Sequence, residues 1–321
     1  MSSAELVEPI TILRGPCQLP PGSAPVTDAD EEVFLLYTAL ASKSTHQNGN
    51  EFRGLGYIDN HKDVLTLEFD VPSTKQSKGA QRRYKSRKAQ TDAQETREVL
   101  LAQDKTALRS RKGDTGSVLW KASADFAQYI LKQSPNSPSL LLDRTRLADA
   151  HILELGAGTG LLAIILSALV REYTATDIED LVPLILKNLA LNGVLSSNNS
   201  VNEARPRKVN AEPLDWVALK NSSPSLRHAS FSYSVIDLLL VVDCIYHPSL
   251  LPALVETIDY LATPERTAVL VLVELRQEDV IREFLEQWLT VGGGAWEIWH
   301  VEEIMAGPYA IWVGWKKAMN Q

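Results

Sequence analysis

The stretch His151–Gly160, HILELGAGTG, with the apolar run Leu161–Val170 behind it, decides how the rest of the chain reads. A β-prone apolar segment ends in glycines at alternate positions, Gly156, Gly158 and Gly160, and passes directly into a helix-length run, Leu161–Leu169. A strand entering a tight turn and then a helix lets backbone approach a ligand closely, because glycine accepts positive φ and a helix N-terminus presents unpaired N–H groups. Alone, the pattern suits a nucleotide-type cofactor, and it suits a ligand-free βα turn as well.

Outward from the turn, strands and helices alternate. Val118–Leu131 reads as an amphipathic helix starting near Trp120, and Leu147–Leu155 as the strand that feeds the turn. Glu172–Asp177 is a second strand, followed by a helix, Leu181–Leu191, that stops at Asn192-Gly193. Val194–Arg207 reads as a polar loop, Lys208–Ala211 as a short strand and Ser222–Ser230 as another loop. Val235–Val242 is nearly all apolar, as expected of a central strand covered on both faces. Leu250–Ala262 is a helix, Thr267–Leu275 a strand and Val280–Leu289 a helix; Trp296–Val301 and Ala310–Trp315 close the chain as an antiparallel pair at one edge. The order predicts an α/β fold with a doubly wound, mostly parallel sheet.

The organisation expected is an N-terminal β-containing extension (residues 1–72), a basic and disordered insertion or linker (73–115) and a cofactor-binding domain (116–321). In the extension, residues up to Asp30 read as loosely ordered, with a β-like piece at Ile10–Arg14. Glu31–Ala41 fits a helix or a buried strand, and Leu55–Ile58 with Val64–Phe69 reads as a hairpin across Asp59–Asp63. In the insertion, Lys75, Lys78, Arg82, Arg83, Lys85, Arg87 and Lys88 crowd together among few apolar residues. That composition reads as a solvated linker, or as a basic arm for RNA contact or nuclear localisation.

The chain has 321 residues, 45% hydrophobic, and a formal net charge of -8 that argues against an overall nucleic-acid binder. Cys17 and Cys244 make no disulfide framework. The N-terminus lacks the apolar core of a secretory signal, and the longest apolar stretch, Ile152–Val170, carries Glu154 and the glycines, unlike a membrane span. The expectation is a soluble cytoplasmic protein with no membrane partner, and the nucleus as a second address.

In an open α/β sheet, ligands bind at the carboxyl ends of strands near the point where strand order reverses. That gathers Glu154–Gly160, Asp177 and Asp243 around one crevice. Asp177 stands about 20 residues past the turn, where a carboxylate accepts hydrogen bonds from ribose hydroxyls or caps the following helix. The dinucleotide pattern G-x-G-x-x-G needs glycine where Leu161 stands, and a pyrophosphate would favour cations that the turn lacks. Glu154 suits a positively charged ligand instead, such as the amino group or sulfonium of S-adenosylmethionine.

ILELGAGTG at Ile152–Gly160, TATDIEDLVPLILKNLALN at Thr174–Asn192, LDW at Leu214–Trp216 and VVDCIYHPSLLPALVETI at Val241–Ile258 together resemble the seven-β-strand protein-lysine methyltransferases of the family-16 type. The resemblance runs from about Gly116 to the C-terminus and leaves the N-terminal region outside it. It implies the class I S-adenosylmethionine-dependent methyltransferase fold with a seven-stranded sheet. By the same match Trp120, in SVLWKASADFAQYI, lies over the methionine end of the cofactor, and Glu154, Gly156, Ala157, Gly158 and Val242 line its site. Asp177 holds the ribose, Trp216 flanks the adenine, and Asp243 with Tyr246 forms a D-x-x-Y motif beside the methyl-transfer centre. The likeness to the fungal ribosomal members implies a protein substrate, a lysine of a large-subunit ribosomal protein.

The reaction implied needs no metal, and no His/Cys cluster has metal-ligand spacing. Asp243 is expected to order backbone and cofactor rather than act as a strong base, because its charge would favour the ammonium form of a lysine facing it. Tyr246 is expected to form a wall of the acceptor channel. Readings from other classes are a nucleic-acid or small-molecule methyltransferase, an NAD-dependent reductase, and a non-catalytic cofactor-binding interaction module. Asp243-Cys244-Ile245-Tyr246 lacks the prolines common after the fourth strand of amine-methylating nucleic-acid enzymes.

Overall fold

Leu238–Val242 and Ala268–Val273 contain no polar side chain, so neither can present a face to water, and they pair in parallel at the centre of the molecule. The structure, a computed structural model, describes residues 13–46, 56, 58–59, 61–72, 95–104, 115–133, 140–195, 207–302 and 304–318. The chain order begins β1 (Leu13–Arg14), β2 (Cys17–Gln18), β3 (Ala24–Val26), α1 (Ala29–His46), β4 (Val64–Val71) and β5 (Glu95–Ala102). It continues with α2 (Lys121–Lys132), α3 (Arg144–Leu147), β6 (His151–Leu155), α4 (Leu161–Leu166), β7 (Glu172–Asp177), α5 (Val182–Leu191) and β8 (Lys208–Pro213). Then come α6 (Trp216–Asn221), α7 (Pro224–Ser230), β9 (Leu238–Val242), α8 (Leu251–Leu261), β10 (Ala268–Glu274), α9 (Glu278–Gly294), β11 (Trp296–His300) and β12 (Tyr309–Lys316).

The main sheet runs β3-β11-β12-β10-β9-β6-β7-β8, with β10 through β8 parallel and β12, β11 and β3 antiparallel. Strand alternation divides the core between the two faces. Leu238, Leu240 and Val242 pack with α2, α4 and α5, while Leu239 and Val241 pack with α1, α8 and α9. From β6 the chain winds outward through β7 and β8, then returns to place β9 and β10 on the other side. The switch point therefore lies between β6 and β9, and the Gly156 turn and Asp243 end up beside each other there.

Several boundaries differ from the sequence expectation, each for a local reason. The sheet has eight strands, because β3 adds to β11 and takes the edge expected of the closing pair; β12 inserts between β11 and β10. Glu31–Ala41 resolves as part of the helix α1. Of the expected hairpin strand Leu55–Ile58 only Gly56 and Ile58 lie among the described residues, and β4 pairs with β5, from Val64↔Ala102 to Val71↔Glu95. That pairing buries Leu65, Phe69, Val99 and Leu101, and it places a strand inside the stretch expected to be a disordered linker. Averaging composition over the whole basic stretch hid one short segment with enough apolar side chains to pack. The basic run Lys75–Lys88 itself, and with it the expected RNA contact, lies outside the described residues. Ser222–Ser230, expected as a loop, is mostly the helix α7, which Ser223 caps with Pro224 at its first position. Asp215 caps α6 by accepting from the Val217 and Ala218 amides. The strand expected from Leu147 begins at His151, because Asp143 caps the short helix α3 first.

The β4–β5 hairpin is fastened to the domain by two asparagines one turn apart, Asn188 within α5 and Asn192 at its C-terminal cap. Asn192 exchanges hydrogen bonds with the Leu100 backbone, at 3.1 and 2.7 Å. Buried Asn188 accepts from the Ala102 amide at 2.7 Å and donates to the carbonyls of Ala102 at 3.0 Å and Thr159 at 2.9 Å. Its side chain acts as a surrogate strand edge and joins the hairpin to the glycine turn. Asn188→Ala leaves three buried backbone groups unpaired, so urea unfolding should show a loss of about 2–3 kcal/mol. An unchanged midpoint would show that water replaces the amide without loss.

Candidate functional site

The glycines of the turn all adopt positive φ: +67° at Gly156, +54° at Gly158 and +77° at Gly160. At Gly156 the requirement is steric as well as conformational, since a Cβ there would lie 2.6 Å from the Cys244 sulfur and 3.4 Å from the Trp216 ring. The turn is held to the sheet by the Ala157 amide, which donates to the Thr176 carbonyl at 2.9 Å. Asp177 at the end of β7 accepts from the Gly158 amide at 2.8 Å with one carboxylate oxygen and from the Ile178 amide at 2.8 Å with the other. These hydrogen bonds tie Asp177 both to the glycine turn and to the start of the segment that follows β7.

Around the turn is a cleft of about 500 Å³, within the usual range of small-molecule sites. Every residue expected from sequence at the cofactor and the transfer centre lines it: Trp120, Glu154, Gly156, Ala157, Gly158, Asp177, Trp216, Val242, Asp243 and Tyr246. Its lining has the carboxylates of Glu154, Asp177, Asp215 and Asp243 and, among the described residues, no lysine or arginine. Glu154 is buried and accepts from the Tyr173 hydroxyl at 2.8 Å. Burial drives its carboxyl up to about 8; the Tyr173 hydrogen bond opposes this and the charge of Asp177 adds to it. The Trp216 indole N–H is buried and has no hydrogen-bond partner among the described residues.

One wall of the cleft is built from the segment before α2. Trp120 is the residue that caps α2, and its indole N–H donates to the Thr115 carbonyl at 2.7 Å. Buried Gln103, just past β5, accepts from the Leu119 amide at 2.8 Å and donates to the carbonyls of Asp59 at 2.7 Å and Lys62 at 2.9 Å. The hairpin region thus supports the wall that carries Trp120. Also in the lining is Asp243, a non-glycine residue at φ +59° immediately after β9. Its carboxylate is gripped by Arg276, through bonds of 2.9 and 2.6 Å, and also accepts from the Glu274 amide at 3.2 Å.

The sequence assigns no role to Arg276, Cys244 or Gln103. Arg276 and Gln103 belong to no motif, Cys244 fills an unspecified position inside D-x-x-Y, and each matters through partners distant in sequence. The nearest available signal for Arg276 is its place two residues past the acidic end of β10.

The cleft fits S-adenosylmethionine on its own chemistry. An acidic lining without lysine or arginine suits a ligand with a sulfonium and an amino cation, glycine cradles make room for it, and an orphaned indole N–H awaits an acceptor. Residues 102–289, more than half of the chain, match the family described as lysine methyltransferase. A Schizosaccharomyces pombe protein named diaminohydroxyphosphoribosylamino-pyrimidine deaminase is 34% identical over 193 residues, 59% of this chain and 41% of its own length. The Bos taurus protein-lysine methyltransferase METTL21E is 32% identical over 164 residues, 51% of this chain and 49% of its own. Ribosomal lysine N-methyltransferase 5 of Kluyveromyces lactis is 24% identical over 303 residues, 80% of this chain and 89% of its own. The chain thus spans less than half the length of the first two relatives and most of the third. With its switch-point cleft and the extent of the family match, the chain belongs to the lysine methyltransferase family.

Proposed function

We propose that the protein is an S-adenosylmethionine-dependent protein-lysine N-methyltransferase that acts on a lysine of a large-subunit ribosomal protein. The observation that carries the reading is the acidic switch-point cleft, which ends at Trp120, Asp243 and Tyr246. The ribosomal substrate is supported by the Kluyveromyces lactis relative, whose match extends over most of both chains.

When bound, S-adenosylmethionine supplies a methyl group on a sulfonium that a neutral amine displaces in line. The chain's own residues bind, orient and exclude water. Asp177, already oriented by the Gly158 and Ile178 amides, would accept from the ribose hydroxyls, since each carboxylate oxygen takes more than one hydrogen bond. Trp216 would flank the adenine with Ile178, Leu214 and Val217, and Glu154 would face the amino acid portion beside Gly156, Ala157 and Gly158. Val242 lines the floor of the cleft, and Tyr246 walls the acceptor end next to Asp243. The substrate lysine must lose its proton; from a reference value near 10.4, that costs roughly 4.6 kcal/mol at neutral pH, which an apolar channel lowers.

Labelled methyl donor, purified protein and large ribosomal subunits test the reading. Label should appear in a protein band and survive nuclease; label lost to nuclease would overturn the protein substrate. Asp177→Ala should weaken S-adenosylhomocysteine binding by about 100-fold in calorimetry, because it removes a charged acceptor and releases the Gly158 amide. Retained affinity would reject the ribose role.

A further inference from the structure

Arg276 does not line the cleft, yet it touches two residues that do, Asp243 and Trp120. Its guanidinium meets the Asp243 carboxylate in a fork of 2.9 and 2.6 Å, and one nitrogen also donates to Glu274 at 2.6 Å. The same group lies over the Trp120 ring, 4.9 Å from its centre. Gly56 abuts it from the fourth side, where any side chain would collide with the guanidinium. The Lys121 amide donates to the Gly56 carbonyl at 2.6 Å, which fixes Gly56 to the start of α2. The Arg276 side chain is 27% exposed and that of Asp243 only 2%, so the pair is shielded enough for its charges to act on a neighbour. A rigid planar fork held by Asp243, Glu274, Trp120 and Gly56 is more than a surface ion pair.

Resting on the methyltransferase reading, we propose that Arg276 is a positioning residue that makes the acceptor end selective for a neutral amine: it ties Asp243 to Trp120 and cancels a carboxylate that would otherwise hold the substrate lysine as its ammonium. The other charged or titratable groups around this end include Tyr246 and His247 in the cleft lining, Glu274, the Lys121–Asp125 pair on α2, and Tyr309, whose hydroxyl donates to Asp125 at 2.7 Å. Lys121 and Asp125 offset each other, so Arg276 against Asp243 and Glu274 decides the local balance. With Arg276 present, the triad carries one negative charge; without it, Asp243 in the lining and Glu274 behind it leave two. An ammonium is then favoured and the nucleophilic form is depleted. Asp243 thereby keeps the ordering role expected of it, since its oxygens are engaged away from the lysine.

The test does not depend on the substrate. Sinefungin is an adenosyl analogue in which a carbon bearing a primary amine replaces the methylsulfonium, so it carries an amine to the transfer position; S-adenosylhomocysteine carries none. Calorimetric affinities for both give a ratio that reports charge at this position, measured in wild type, Arg276→Ala, Arg276→Lys, Asp243→Asn and the Arg276→Ala/Asp243→Asn pair. The ratio should shift toward sinefungin by about 10-fold in Arg276→Ala, the scale of one opposite charge nearby, and should return to near wild type in the double variant. Sinefungin's advantage in Arg276→Ala should also persist about one pH unit higher. Arg276→Lys, which keeps the charge and loses the fork, should fall between the two. Asp243→Asn alone should shift the ratio away from sinefungin, and this arm decides even if Arg276→Ala fails to fold. Equal ratios in wild type and Asp243→Asn would overturn the proposal. Failure of both ligands to bind wild type would overturn the methyltransferase reading itself, and the proposal with it.

Discussion

Gly156→Ala should weaken S-adenosylhomocysteine binding by at least about 100-fold, or about 2.7 kcal/mol, and Cys244→Ala in the same chain should recover part of the loss. Two separate penalties act at this position. The backbone sits at φ +67°, in the left-handed region, where an L-residue costs about 1–2 kcal/mol. The new methyl would also lie 2.6 Å from the Cys244 sulfur, which is itself buried and bonded to the Leu155 carbonyl at 3.2 Å. With no room for the sulfur to retreat, the strain passes to the Trp216 ring, 3.4 Å away, and overpacking of this kind costs about 1–3 kcal/mol. Because Trp216 begins α6 and lines the cleft, the damage falls on binding more than on global stability. Cys244→Ala removes the colliding atom and leaves the backbone strain, so the double variant separates the terms. Full affinity in Gly156→Ala would mean that the ligand does not use this turn.

The parts of this site that are legible in sequence are those whose meaning is local. Gly156, Gly158 and Gly160 announce positive φ within one turn, Asp177 stands at the end of a strand whose length is readable, and Leu238–Val242 has too little polarity to be anything but central. The helix caps Asp215 and Ser223-Pro224 are local signals too, but a run of small polar residues resembles a loop in composition and masks them.

Other features depend on long-range geometry, which no local pattern carries. Strand β5 hides beside a basic run, and its partner β4 is separated from it by residues that outweigh it in composition. Arg276 draws its importance from Gly56, Trp120 and Asp243, which only the folded sheet brings together. The same holds for Asn188, which links Ala102 to Thr159. Gln103, in the stretch expected to be a linker, joins the carbonyls of Asp59 and Lys62 in the extension to the Leu119 amide beneath the Trp120 wall.

Glu154→Gln should raise the melting temperature of the ligand-free protein by several degrees at about pH 8 and by little at about pH 5, while weakening methyl-donor binding. Burial raises the Glu154 carboxyl from 4.5 to about 8 in the folded chain. A carboxyl raised on folding stabilises the native state fully below its unfolded value of 4.5, and that contribution is lost as pH climbs toward about 8. Between about pH 5 and pH 8 the loss is on the order of 3 kcal/mol. Glutamine cannot ionise, fills the same volume and still accepts from the Tyr173 hydroxyl, so the variant escapes the loss and the melting gap between the proteins widens with pH. A ligand cation reverses the balance by favouring the carboxylate. Near neutral pH, binding to wild type should therefore release up to about one proton, read by calorimetry in buffers of different ionisation enthalpy, and binding to Glu154→Gln should release less. A melting gap that does not change with pH, together with equal proton release, would show that Glu154 neither titrates in the cleft nor meets the cation. The instability of the empty site at high pH is then the counterpart of its selectivity: a buried acid that is costly to ionise alone becomes favourable to ionise only when a positively charged donor fills the cleft.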